Sequence, residues 1–85
     1  MQSPGSTDQT GVSAKTSLVR LSRRQTECLY WVQEGKSAAD IGLILGLSPR
    51  TVEEYLAKAC EKLGVRTRIQ AVIRAHRLGL LAEEP

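Results

Sequence analysis

Ten side chains carry most of the chemistry in this 85-residue chain: Lys36, Ser48, Arg50, Thr51, Glu53, Glu54, Tyr55, Lys58, Lys62 and Arg66. They are hydroxyls, cations and two neighbouring carboxylates, and nine of them fall between positions 48 and 66. Cations and hydroxyls suit phosphate oxygens, and Ser48 and Thr51 open a helical run whose N-terminus favours anions. A carboxylate can accept from the N4 amine of cytosine. The expected chemistry is recognition of a polyanion and its bases, not catalysis. No nucleophile with a base, phosphate-cradling glycine loop or metal cluster is present. Glu53 and Glu54 are adjacent on a helix and point about 100° apart, so they cannot flank one substrate bond.

Four helices must position these groups, and each start carries a capping signal. Ser22 with Gln25, Ser37 with Asp40 and Thr67 with Gln70 have capping-box spacing. Ser48 is followed by Pro49, a cap and then a proline where its missing N–H costs nothing. Gly35, Gly46, Gly64 and Gly79 each follow an apolar-periodic run, as helix ends do. Helix 1 carries Cys28, Leu29, Trp31 and Val32; helix 2 carries Ala38, Ile41 and Leu45. Helix 3, about 49–63, carries Val52, Leu56, Ala59 and Leu63 at helical spacing. Helix 4, about 67–78, carries Ile69, Val72 and Ile73, followed by Leu78, Leu80 and Leu81. The fold class expected is all-α, a compact four-helix bundle.

Helices 2 and 3 read as a helix-turn-helix. Gly42 falls where the two helices should cross, and a small residue lets the backbones approach. Gly46 falls in the turn and can take positive φ without steric cost. Ile41, Leu45, Leu47, Val52 and Tyr55 fall at inward-pointing positions around them. Such a unit places its second helix in the DNA major groove. The bland alternative is a small helical hairpin of no particular function.

Composition sets outer limits. Residues 1–17 are rich in Ser, Thr, Gly and Gln and hold too little apolar surface to fold, so they are expected to be a disordered tail or linker. The folded domain is expected over 18–81, with 82–85 as a C-terminal tail. Residues 18–81 hold eleven Lys/Arg and six Asp/Glu, a surplus of five positive charges that fits nucleic acid but does not prove it. Cys28 and Cys60 read as free thiols of a reducing compartment. His76 is the single histidine, so no metal-binding spacing and no cofactor is expected. No apolar run approaches the about 20 residues of a membrane span, and the N-terminus has no secretory pattern. A cytoplasmic location and no membrane partner are expected.

Residues 21–75 resemble the LuxR/GerE-type DNA-binding domain of bacterial regulators. The matching pieces are L-S-R-R at 21–24, E-C-L at 27–29, E-G-K-S at 34–37, I-G at 41–42, L-S-P-R-T-V-E at 47–53, K-L-G-V-R-T-R at 62–68 and Q-A-V at 70–72. The resemblance implies helix 3 in the major groove and a homodimer through helix 4 on pseudo-palindromic double-stranded DNA. Ile69, Val72, Ile73 and His76 are the expected dimer face. The resemblance puts base reading at positions 53, 54 and 57, here Glu53, Glu54 and Ala57. Position 54 is usually a small group, position 55 usually a phosphate-contacting His, and position 25 usually Glu. Here they are Glu54, Tyr55 and Gln25. One carboxylate is expected to read a base and the other to pair with Arg50 or Lys58. Modest affinity with strong salt dependence follows.

Two functions of different kind therefore stand at this point. One is a sequence-specific transcription regulator. The other is a protein-interaction module of the same fold, weakened for DNA by Glu53 and Glu54, that modulates another regulator or RNA polymerase. A σ-factor fragment is a lesser third. No small-molecule site is expected within this chain.

Overall fold

The computed structural model describes residues 19–81. The expectations for 1–17 and 82–85 lie outside them. Four helices follow one another: α1 Arg23–Gln33, α2 Ala38–Leu45, α3 Pro49–Leu63 and α4 Arg68–Arg77. No strand occurs among the described residues. This is the all-α bundle that the caps and periodicity predict.

Each helix starts where a three-residue local code fixes it. Ser22, Ser37 and Thr67 each accept from the N–H three residues on, and Gln25, Asp40 and Gln70 reach back to the cap. Ser48 accepts from the Thr51 N–H at 3.1 Å, with Pro49 in the first turn. The second of these helices ends at Gly46, at φ 73°, a left-handed conformation that few residues other than glycine adopt readily.

The core is aliphatic. Cys28, Leu29, Ile41, Val52, Leu56, Ala59, Leu63, Ala71, Ala75 and Leu81 are buried in one cluster. Both α1 and α3 pack against each of the other three helices, whereas α2 sits away from α4. That leaves α3 supported along one side while the other side faces outward.

Two packing details differ from the sequence expectation. The close approach at Gly42 is to the turn rather than to the body of α3: a Cβ there would come closer than 3.0 Å to the Leu47 carbonyl oxygen. The buried side of α4 is Ala71 and Ala75, which the apolar pattern does not single out, while Ile69 and Ile73 are exposed. Small side chains let α4 lie close to α1 and α3, and its branched residues turn outward. Both cysteines are free. Burial, with a smaller contribution from Glu27, pushes the Cys28 thiol up to about 11.

Candidate nucleic-acid interface

The outward face of α3 carries Arg50, Glu53, Glu54, Ala57, Lys58 and Glu61, all exposed, with Thr51 and Tyr55 half-buried at its edge. The helix presents them because Val52, Leu56, Ala59 and Leu63 occupy the opposite side in the core. Its N-terminus projects from the Gly46 turn. There the Ser48 hydroxyl donates to Thr51 Oγ1 at 2.9 Å while accepting the Thr51 N–H. The Thr51 hydroxyl proton thus remains available to an outside acceptor.

The charged residues are organised in pairs. Arg50 Nε lies 3.7 Å from Glu54 Oε2, the expected partnership one helical turn apart. Lys58 Nζ lies 3.4 Å from Glu61 Oε1. Glu53 does not pair along its own helix: its Oε1 takes a hydrogen bond from Arg68 Nη2, at the start of α4. Glu53 and Glu54 therefore each lie against a guanidinium group and Glu61 against an ammonium, which lowers their repulsion toward phosphates. Lys36 and Arg66 are exposed in the α1–α2 and α3–α4 connections, with no carboxylate partner among the described residues.

Lys62 and Tyr55 are placed differently. Lys62 Nζ donates to Gln25 Oε1 at 3.0 Å, which ties α3 to the first turn of α1. Tyr55 lines an open notch of about 310 Å³ between these helices, together with Gln25, Thr51, Glu54 and Lys58. The sequence singles out Gln25 as a cap and as a departure from the usual Glu, and shows Arg68 only within the matching K-L-G-V-R-T-R segment. Their contacts to Lys62 and Glu53 join residues 37 and 15 positions apart, so no local pattern could show them.

A second surface lies on α4. Ile69 and Ile73 are 65% and 48% exposed. With Val72, Val32 and Gln33 they line an apolar groove of about 250 Å³. His76 Nε2 is hydrogen-bonded with Gln33 Oε1 at 2.6 Å beside it. The four residues expected at a dimer face thus fall on one helix, spaced as neighbours on its surface. Among the described residues, no group of His, Cys, Asp and Glu could hold a metal ion, and no helix is long and apolar enough to cross a membrane.

Residues 19–75 match the bacterial regulatory proteins of the luxR family. The chain belongs to that family. Its fold is that of the solved transcription factor GerE, with a TM-score of 0.70 and 33% identity over 75% of this chain and 96% of that one. The transcriptional activator protein AnoR of Acinetobacter nosocomialis is 46% identical over 61 residues, 72% of this chain and 26% of its own length. The transcriptional activator protein LuxR of Aliivibrio fischeri is 47% identical over 55 residues, 65% of this chain and 22% of its own length. The chain spans about a quarter of the length of these relatives. This luxR-type bundle is therefore the DNA-binding domain of a transcription regulator, and the family is one of regulators rather than enzymes.

Proposed function

We propose that the domain is a sequence-specific transcription regulator that sets α3 in the major groove of double-stranded DNA and acts as a homodimer through α4, in the cytoplasm. The observation that carries this reading is the outward face of α3. It combines an exposed, Ser48-capped helix N-terminus with paired cations and carboxylates, on a helix whose other side anchors the core. Ser48, Thr51, Lys58, Lys36 and Arg66 supply phosphate contacts, which fix register without reading sequence. Glu53 and Glu54 are the side chains in position to accept from cytosine N4. The exposed Ile69 and Ile73 support self-association through α4.

Glu53 and Glu54 engage arginines that would otherwise face phosphates. That observation favours a second reading, in which the same fold modulates another regulator or RNA polymerase through protein contacts. Selection from random duplexes at low salt, followed by titration at two salt concentrations, separates the two. Enrichment of an inverted repeat with half-sites about one helical turn apart supports the regulator. Weak, unselective binding that vanishes with salt supports the protein-interaction module.

A further inference from the structure

Among the described residues, Gln25 is the one buried polar side chain, only 6% exposed. Its Oε1 accepts the Ser22 N–H at 2.8 Å and Lys62 Nζ at 3.0 Å. Both partners can only donate, so the oxygen and nitrogen of this amide are assigned without ambiguity. The two N–H groups on Nε2 donate to no group among the described residues. The same side chain lines the notch shared with Thr51, Glu54, Tyr55 and Lys58. Buried polar groups in native proteins are almost always hydrogen-bonded. A buried amide facing an open notch with its donors unused calls for an acceptor from outside.

We infer that this notch is a phosphate site, and that the Gln25 amide clamps one backbone phosphodiester of the bound DNA from α1. The inference rests on the DNA-binding reading above and names a contact in a helix outside the recognition unit. Thr51, whose hydroxyl proton is free, and the Tyr55 hydroxyl and Lys58 ammonium add further donors around the same space. Glu54 also lines the notch, and Arg50 draws its carboxylate at 3.7 Å. Lys62 supplies uncompensated positive charge behind the amide, because its partner is neutral glutamine. A glutamate at position 25 would keep both accepted bonds, neutralise Lys62 and remove the two donors. The amide is therefore the group that makes the notch suited to an anion.

Gln25→Glu is the test variant, since it preserves the cap and the bond to Lys62. It is titrated beside the wild type against a duplex and against copies carrying one neutral methylphosphonate at each position in turn. The expected result is a loss of about tenfold or more for the variant. One methylphosphonate position should cost the wild type similarly and the variant little, the coupling expected of two groups in contact. Equal binding by variant and wild type, or a loss shared evenly among all positions, overturns the clamp and leaves DNA binding intact. A second readout needs neither variant nor duplex: the side-chain NH2 resonances of Gln25 during titration with inorganic phosphate at constant ionic strength. No shift overturns the notch as an anion site. A shift in a protein that binds no duplex keeps the anion site and overturns its assignment to DNA.

Discussion

Gly42→Ala is the substitution whose cost the geometry defines most sharply. Two effects oppose. Alanine is the better helix former, and in an exposed helix interior the change would stabilise by about 1 kcal/mol. At position 42, however, the new methyl would sit closer than 3.0 Å to the Leu47 carbonyl oxygen, with the Leu47 carbonyl carbon at 3.4 Å and the Pro49 nitrogen at 3.5 Å. All three are backbone atoms, so no side chain can swing aside. The turn itself must move, and overpacking of this kind costs about 1–3 kcal/mol. The movement also strains the 2.8 Å bond from the Leu47 N–H to the Gly42 carbonyl, worth about 0.5–1.5 kcal/mol. Together the three give a net destabilisation of about 0.5–3.5 kcal/mol, which in a domain this small lowers Tm by roughly 4–8 °C per kcal/mol.

Urea titration followed by circular dichroism measures this directly, and Gly35→Ala provides the comparison. Gly35 has φ +86° but nothing within 4 Å of its would-be Cβ, so its cost is conformational alone, about 1–2 kcal/mol. The distinguishing feature is function. A shift of the turn displaces the N-terminus of α3, whereas a change at the α1–α2 connection does not. Gly42→Ala should therefore weaken duplex binding in conditions where the variant is fully folded, and Gly35→Ala should not. A Gly42→Ala protein as stable as the wild type, with unchanged duplex affinity, would refute the steric argument.

The double substitution Thr51→Ala with Lys58→Ala should weaken binding to every duplex alike and reduce the slope of log K against log salt by about 1, read by fluorescence anisotropy; an unchanged slope means that α3 is not at the phosphates. Ile73→Glu should leave the monomer's helicity intact, because that side chain is already 48% exposed, yet abolish self-association in sedimentation velocity; a variant that still associates as the wild type does rejects the α4 face. The raised Cys28 thiol makes stability depend on alkaline pH. The native state favours the protonated form, so the contribution is intact below the ordinary value of 9.0 and is lost as pH rises toward about 11. The fall should reach about 1.4 kcal/mol per pH unit at most. Cys28→Ala should flatten that part of the curve in urea titrations across the same range, and an unchanged slope would contradict it.

What was legible in the sequence follows from the range of the interactions. The four helix starts were readable because each is encoded within three residues: Ser22 with Gln25, Ser37 with Asp40, Ser48 with Pro49, Thr67 with Gln70. The bounds of α3 matched for the same reason. The apolar side of α3 was readable because four core residues share one helical period. The packed side of α4 was not. Hydropathy marks Ile69, Val72 and Ile73, but helix approach is limited by side-chain size, and Ala71 and Ala75 allow the closer fit.

Charge placement on the interface was the least legible part, and it bears most on mechanism. Along the chain, Glu53 and Glu54 read as two like charges facing a polyanion. In the folded domain each lies against a guanidinium, one from its own helix and one from α4. Exposed pairs of this kind contribute little to stability, so their value lies in what α3 presents outward. A carboxylate beside an arginine keeps its acceptor oxygens for a base edge while the pair as a whole is neutral toward phosphates. Lys62 shows the reverse arrangement: its partner is a neutral amide, not a carboxylate. Among the described residues, positive charge without a carboxylate partner therefore lies at Lys62, behind the notch between α1 and α3, and at the connections bearing Lys36 and Arg66, while the charges at the centre of α3 are paired. That division matches the two tasks of a DNA-binding helix, with attraction supplied at the edges and selection at the centre.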